Sequence, residues 1–141
     1  VFYGKCAELC GPSHALMDFK VKSLERPDFD AWIAAMQASE GQIANIDSSD
    51  AGEALFANSC LTCHAISGAG VSGAAGPNLT TFGDRNRIAG FMDHTKEDLI
   101  KWIDDSDKEK PENLMPSFKG QFSNEELNAL ADYLMSLSVE K

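Results

Sequence analysis

The stretch Cys60-Leu61-Thr62-Cys63-His64 determines how the rest of this 141-residue chain is interpreted. Two cysteines separated by two residues and followed at once by a histidine are the attachment signature of c-type haem. The thiols of Cys60 and Cys63 would add to the two vinyl groups of the porphyrin, and His64 would supply a nitrogen to the iron. A CxxC pair without the histidine would fit a redox dithiol or half of a zinc site. We therefore predict covalently bound haem c.

The charge and hydropathy of the chain exclude some classes of protein. A formal net charge of −10 excludes a nucleic-acid footprint, which needs clustered lysine and arginine. It suits docking to a basic partner and simple solubility about equally well. No apolar run approaches the ~20 residues of a membrane helix, and no signal peptide is present. Because the first residue is Val1, we expect a mature product or a piece of a longer protein.

A second group of chemistry-bearing side chains lies near the N-terminus, where Cys6, Cys10, His14 and Met17 fall within twelve residues. Thiol, imidazole and thioether ligands favour copper over magnesium or calcium. The turn predicted at Gly11-Pro12 would fold the imidazole and the thioether back towards the sulfurs. A local disulfide between the two cysteines, or a zinc site that includes the histidine, are the alternatives, and neither gives the methionine a role.

Hydrophobic periodicity predicts the elements of the first third. Residues 1–3 and 19–24 are β-leaning, and residues 26–36 follow a helical pattern. The apolar positions of that helix fall at helical spacing; they are Phe29, Trp32, Ile33 and Met36. Trp32 and Met36 are expected to be packing residues. Residues 38–49 are polar and without period, so they predict a linker.

Three capping boxes predict the helices of the remainder; they pair Asp50 with Glu53, Thr95 with Asp98, and Ser123 with Glu126. Gly52 and Phe56 lie on one face of the first of these helices. A glycine inside a helix costs about 1 kcal/mol relative to alanine, so its presence invites a packing reason. We expect the last helix to cross closely over this face.

Three motifs resemble those of class I cytochromes c over residues 48–139. They are Gly-x-x-x-Phe ahead of CxxCH, Gly-Pro-x-Leu at 76–79 and Met-Pro-x-Phe at 115–118. The resemblance implies that the Pro77 carbonyl accepts a hydrogen bond from His64, and that Met115 is the second axial ligand of the iron. It also implies that Trp102 approaches a haem propionate, with simple core packing as the alternative. Arg85 and Arg87 are candidates for the same haem environment because a guanidinium pairs well with a carboxylate, and a surface position is the alternative for each.

The second axial ligand decides the chemistry, because a methionine saturates the iron whereas an open position permits ligand binding or catalysis. Met115 lies in a loop stiffened by Pro116, where a thioether could point across the ring. Met135 is expected in the last helix as a packing residue. Met92 and His94, in a flexible-looking stretch, are the remaining alternatives.

The N-terminal block resembles the C-terminal copper motif of cytochrome c oxidase subunit II, which forms a binuclear copper A centre on a cupredoxin-like sandwich. The resemblance implies bridging thiolates and terminal ligands, from Cys6, the Glu8 carbonyl, Cys10, His14 and Met17. The other histidine ligand of that family comes from an earlier strand that this sequence does not include. We therefore expect an incomplete copper site, on strands whose exposed edges could pair with a neighbouring molecule.

Together the two resemblances look like subunit II of a caa-type haem–copper oxidase with a fused cytochrome c. The expected fold is mainly α, a class I cytochrome c fold preceded by a strand-loop-strand remnant of a cupredoxin domain and a connecting helix. The expected boundaries are 1–24 for the copper fragment, 25–45 for the connecting helix and linker, and 46–141 for the cytochrome domain.

The function implied is electron transfer in an aerobic respiratory chain. A cytochrome c or a quinol:cytochrome c reductase would reduce the haem, which would reduce copper A; the other oxidase subunits are the expected partners. The dioxygen-reducing site would lie elsewhere in the oxidase. The expected location is the extracytoplasmic face of a bacterial plasma membrane, anchored in the full-length subunit and soluble as this piece. A free-standing c-type cytochrome carrier is the alternative, and a haem enzyme or sensor with an open iron is a third.

Overall fold

A computed structural model describes residues 1–39, 49–66 and 75–139. Helices dominate these residues, as the sequence predicts. The helices are α1 (Arg26–Ser39), α2 (Ala51–Ser59), α3 (Lys96–Asp104), α4 (Ser106–Glu109) and α5 (Asn124–Ser136). The strands are β1 (Phe2–Lys5), β2 (Asp18–Val21), β3 (Arg87–Ile88) and β4 (Met92–Asp93), and single 3₁₀ turns occupy His14–Leu16 and Phe82–Asp84.

The closest helix contact is the crossing of α2 and α5 at Gly52. A Cβ atom at this position would lie 2.2 Å from the Ala129 carbonyl oxygen and 2.8 Å from the Tyr133 Cβ. The expected close crossing is confirmed, because only a glycine lets the two backbones approach this far. One turn along α2, the rings of Phe56 and Tyr133 pack with centroids 5.7 Å apart. The Tyr133 hydroxyl points at the Glu53 carboxylate, 3.4 Å away.

All three helix starts are capped as the sequence predicts. The Asp50 carboxylate accepts the Glu53 N–H at 2.8 Å, which satisfies one of the free donors of the first turn. Thr95 caps α3 through the Asp98 N–H in the same way. At α5 the Glu126 carboxylate also returns to the Ser123 N–H at 2.8 Å, which completes a reciprocal capping box.

One apolar core runs through the region from α2 to α5. It is formed by Phe56, Ile66, Leu79, Phe82, Ile88, Met92, Leu99, Ile103, Leu127, Leu130, Ala131, Leu134 and Leu137. The last five of these are the apolar face of α5 and its C-cap residue, which the sequence periodicity predicts. The α5 helix therefore packs against both α2 and α3 and is the centre of the domain.

The β3–β4 hairpin was not predicted, and the description of residues 92–94 as flexible-looking is wrong. Met92 is buried in the core, and the His94 Nε2 lies 2.9 Å from the Phe82 carbonyl oxygen. The His94 ring also packs on the Phe82 ring, with centroids 5.0 Å apart. Strands of two residues are too short to show alternation, so the sequence carries no signal for them.

The packing role expected of Trp32 is also wrong. The helix α1 forms as predicted, ending three residues later, but it has no buried residue, and Trp32 is 36% exposed. Its ring packs on that of Phe29 at 6.0 Å, on the surface. Ile33 and Met36, further along the apolar stripe of α1, are half-buried. The linker predicted over residues 38–49 lies, except for its ends, outside the described residues.

The strands β1 and β2 form an antiparallel hairpin, shifted slightly from the predicted ranges, with Phe2 opposite Val21 and Lys5 opposite Asp18. Opposite residues share a face, and faces alternate along each strand. One face is polar, with a 2.9 Å ion pair between Lys5 and Asp18 and the Lys20 ammonium 5.4 Å from the Tyr3 ring centroid. The other face presents the exposed apolar side chains of Phe2, Phe19 and Val21.

None of the helices in the described ranges combines the length and the apolar character that membrane crossing requires.

Replacing Gly52 by alanine tests the crossing. The added methyl group must displace the Ala129 backbone, so Gly52→Ala should lower the free energy of unfolding by about 1–3 kcal/mol although alanine is the better helix former. Asn58→Ala, at an exposed position of the same helix, should change it by less than about 0.5 kcal/mol. Urea unfolding of the chain measures both. A Gly52→Ala chain more stable than the parent would show that the helices do not meet here.

Candidate metal centres

The CxxCH segment continues directly from the C-terminal end of α2. The Cys60 N–H donates to the Phe56 carbonyl at 2.8 Å, and the His64 N–H donates to the Cys60 carbonyl at 2.8 Å. The two cysteines and the histidine thus lie on one compact turn beyond the helix. Because α2 is held by α5, the position of this turn relative to the core is determined by the helix crossing.

The segment that begins at Gly76 runs beside His64. Its backbone is held by two hydrogen bonds, from the Gly76 N–H to the Cys63 carbonyl at 2.9 Å and from the Leu79 N–H to the Ala65 carbonyl at 2.7 Å. A Cβ at Gly76 would lie 2.6 Å from the His64 ring, so a glycine is required for this approach. The Pro77 carbonyl oxygen reaches 2.8 Å from the His64 Nδ1.

The contact with Pro77 selects one tautomer of His64. A carbonyl oxygen only accepts, so Nδ1 must carry the proton and donate it. The other ring nitrogen, Nε2, then keeps its lone pair for a metal, and the hydrogen bond orients the ring and raises its basicity. The arrangement fits a haem iron ligand.

Two other uses of the CxxC pair fit the structure less well. Burial, and secondarily the neighbouring Cys63, raise the pKa of the Cys60 thiol to about 11, whereas a redox dithiol needs a lowered pKa. The donor atoms of Cys60, Cys63 and His64 also do not gather within 4.8 Å of one another, as a zinc site with these three ligands would require.

The loop that carries Met115 is held through its backbone on both sides. The Met115 N–H donates to the Asn113 side-chain oxygen at 2.8 Å, and the Met115 carbonyl accepts from the Ser106 hydroxyl at 2.8 Å. Ser106 is completely buried at the start of α4. The sequence carried no signal for this serine, because a four-residue helix has no readable period.

The competing axial ligands are engaged elsewhere. Met92 is a core residue and His94 is bonded to the Phe82 carbonyl. Met135 lies in α5 and packs against the core cluster.

The three residues expected near the propionates have different surroundings. Trp102 is half-buried on α3, against the core. The Arg85 guanidinium donates to the Asn78 carbonyl and lies 5.6 Å from the Phe82 ring centroid. Burial lowers the pKa of Arg85, and none of the ion pairs of the described residues includes it. Arg87, the alternative, forms an ion pair with Asp93.

The second donor set comes together in the loop between β1 and β2. The sulfurs of Cys6 and Cys10 lie 3.5 Å apart, and the Cys6 sulfur is 3.0 Å from the Glu8 carbonyl oxygen. The Cys10 sulfur is 3.4 Å from the His14 Nδ1 and 3.7 Å from the Met17 sulfur. The five groups named from the sequence are therefore linked by contacts through the two sulfurs, the Glu8 carbonyl at Cys6 and the imidazole and thioether at Cys10.

The chemistry of this set separates the alternatives left open by the sequence. Both cysteines are free thiols, and their separation is far above the ~2.05 Å of a disulfide bond. A hydrogen bond with Cys6 raises the pKa of the Cys10 thiol, so a metal must displace protons on binding. Zinc would use the thiols and the imidazole but not a thioether, whereas copper accepts all three. The donors fit copper.

Comparison with known proteins assigns the larger part of the chain. The family model described as cytochrome c matches residues 49–138. Cytochrome c oxidase subunit 2 of Bacillus sp. (strain PS3) is 50% identical over 143 aligned residues, which cover 99% of this chain and 40% of that protein. The subunits 2 of Alkalihalophilus pseudofirmus and Bacillus subtilis are 46% and 43% identical, again over 99% of this chain and 40% of each protein.

The chain thus spans less than half the length of these relatives. The alignments nevertheless cover nearly all of this chain, so they include both the copper-type loop (residues 6–17) and the CxxCH segment. The chain belongs to the cytochrome c family, in the form that occurs in cytochrome c oxidase subunit 2.

Proposed function

We propose that this chain is the electron-input end of a haem–copper oxidase, with a covalently bound haem c and part of a copper A site. One observation carries the proposal: two donor sets of different chemistry occur in one chain. The first, at residues 60–64, has thiols and an imidazole, and the second, at residues 6–17, has thiols, an imidazole and a thioether. The subunit 2 relative from Bacillus sp. (strain PS3) aligns with 99% of the chain, so the alignment includes both donor sets.

In the cytochrome domain, Cys60 and Cys63 would hold the haem covalently, and His64 would bind the iron through Nε2. Bound haem supplies reversible one-electron exchange without a substrate site. The Pro77 carbonyl holds the proton on the His64 Nδ1, at 2.8 Å. Met115 would supply the second protein ligand of the iron, because its backbone is held at both N–H and carbonyl and its competitors are engaged elsewhere.

Arg85 is assigned to a haem propionate. The partly buried guanidinium contacts a carbonyl and an aromatic ring, and none of the ion pairs of the described residues gives it a carboxylate partner. A haem propionate would supply the negative charge that pairs with it. Trp102, half-buried on α3, is the second residue that we place in the haem environment.

In the N-terminal loop, Cys6 and Cys10 would bridge copper, with Glu8, His14 and Met17 as the other ligands. We assign residues 1–24 to a copper A cupredoxin fragment, 25–45 to a connecting segment and 46–141 to the cytochrome domain. The apolar face of Phe2, Phe19 and Val21 supports this division, because a sandwich needs such a face to pack on its second sheet.

The electron donor would be a cytochrome c or a quinol:cytochrome c reductase, and the partners would be the other oxidase subunits. The location that follows is the extracytoplasmic face of a bacterial plasma membrane, in a subunit anchored to it. Dioxygen reduction would occur elsewhere in the oxidase. The second candidate is a free-standing c-type cytochrome that carries electrons. It would use the same haem site, but it assigns no function to the donors that converge at residues 6–17.

Substitution of Met115 tests the haem ligand. In the oxidised haem-loaded chain, Met115→Ala should abolish the long-wavelength absorption band of thioether-to-iron coordination, because the competing thioethers of Met92 and Met135 are held in or against the core. Met135→Ala should leave the band unchanged. A band that survives Met115→Ala would reject this ligand and favour a haem site with a different or open sixth position.

Metal analysis tests the copper site. The haem-loaded chain should bind fewer than two copper atoms, because the donor set at residues 6–17 includes one histidine, whereas the binuclear site of the family uses two. Cys10→Ser should remove this copper and leave the haem content unchanged, since the two sites share no residue. A complete binuclear copper spectrum from this chain alone would reject the incomplete site, and no copper at all would favour the free-standing carrier.

A further inference from the structure

The copper-type loop and the cytochrome domain touch at two places far apart in sequence. The Ser13 hydroxyl donates a 2.7 Å hydrogen bond to the Pro111 carbonyl, 98 residues away. At the turn of the β3–β4 hairpin, a Cβ on Gly90 would lie 3.2 Å from the Asp18 carbonyl oxygen and 3.7 Å from that of Leu16. The residues from Ser13 to Asp18 therefore lie against two loops of the cytochrome domain.

These two loops are tied to each other. The ammonium of Lys110, which precedes Pro111, donates at 3.2 Å to the carbonyl of Ala89, which precedes Gly90. The two contact points thus belong to one surface of the cytochrome domain, and the N-terminal loop meets that surface at both points.

The surface is continuous with the Met115 loop. The Asn113 side chain donates to the Lys110 carbonyl at 2.8 Å and accepts from the Met115 N–H at 2.8 Å. The Asn113 side chain therefore connects the backbone next to Pro111 with the backbone of Met115 through two hydrogen bonds. On the other side of the contact, Ser13 directly precedes His14, the imidazole of the copper donor set.

A cavity of about 570 Å³ lies between the hairpin and the cytochrome domain. Its lining mixes polar and apolar side chains: Lys5, Phe19 and Lys20 come from the hairpin, and Arg85 and Arg87 come from the domain. Phe2 and Val21, on the apolar face of the hairpin, do not line the cavity and are exposed.

We propose that the copper-type loop and the Met115 loop form a fixed internal docking interface, with the Ser13–Pro111 hydrogen bond as its shortest link. This inference rests on the proposed function and adds the route. The step is the one-electron oxidation of the haem iron with the one-electron reduction of the copper site, and no atom or proton is transferred. Because both sites belong to one docked chain, the step needs no diffusional encounter. Ser13, Gly90 and Lys110 are positioning residues.

Hydrogen exchange of the whole haem-loaded chain tests the docking. Ser13→Ala removes the link and should lower the protection of residues 13–18 and 110–115 about fivefold, the effect of losing one typical hydrogen bond. Ser136→Ala is the matched control, because its hydroxyl also bonds a carbonyl at 2.7 Å, that of Tyr133, but within α5. It should leave both segments unchanged.

A second pair of variants separates docking from backbone strain. Gly90 (φ 91°) and Gly120 (φ 72°) both adopt positive φ, but only at Gly90 does a Cβ meet the N-terminal segment; at Gly120 nothing lies within 4 Å. Both alanine variants carry the φ penalty. Gly90→Ala alone should increase exchange in residues 13–18.

The outcomes distinguish the docking from the proposed function. If Ser13→Ala and Gly90→Ala leave exchange at the level of their controls, the docking is wrong, whatever metals the chain holds. If both raise exchange, the contact stands; the Met115 and copper experiments then decide separately whether it serves electron transfer. In the subunit loaded with both metals, Ser13→Ala should also slow electron transfer from haem to copper relative to Ser136→Ala, and an equal rate would overturn the route.

Discussion

The close crossing of α2 and α5 at Gly52 is the constraint on which the cytochrome domain depends. Without a side chain at that position, the backbone of α5 approaches until a Cβ would stand 2.2 Å from its carbonyl oxygen. The crossing buries Phe56 against α5 and so fixes the axis of α2. Since the CxxCH turn continues α2 through hydrogen bonds to the helix, the same crossing sets where the thiols and the imidazole stand.

The remaining parts of the proposed haem site are held by loops, and each loop is fixed through its backbone. The Pro77 carbonyl is brought to His64 by hydrogen bonds on both sides of it, and the Met115 backbone is fixed by Asn113 and Ser106. The backbones that carry Pro77 and Met115 are thus restrained. Such restraint suits the proposed electron transfer, because a site that changes little between oxidation states has little to reorganise.

The two donor sets show how the same residue types are directed to different chemistry by their surroundings. Cys60 is largely buried at the end of a helix, with a raised pKa, beside a histidine whose tautomer is selected by a carbonyl. Cys6 and Cys10 lie in a surface loop where an imidazole, a thioether and a carbonyl converge on them. Covalent attachment suits the first environment, and coordination of a soft metal suits the second. The contact between Ser13 and Pro111 brings the two environments into one structure.

The sequence by itself determined the parts that depend on local chemistry. Motif spacing is read directly from the residues, so it identified the CxxCH turn and the copper-type donors. The resemblance to class I cytochromes c added Pro77 and Met115 as candidates, and capping residues and the 3.6-residue period located α2, α3 and α5. Only the tertiary structure decided the rest. The exposure of Trp32, the burial of Ser106 under Met115, the β3–β4 hairpin and the contact of Ser13 with Pro111 all depend on which surfaces meet. Such meetings join residues far apart in the chain, and a local pattern carries no information about them.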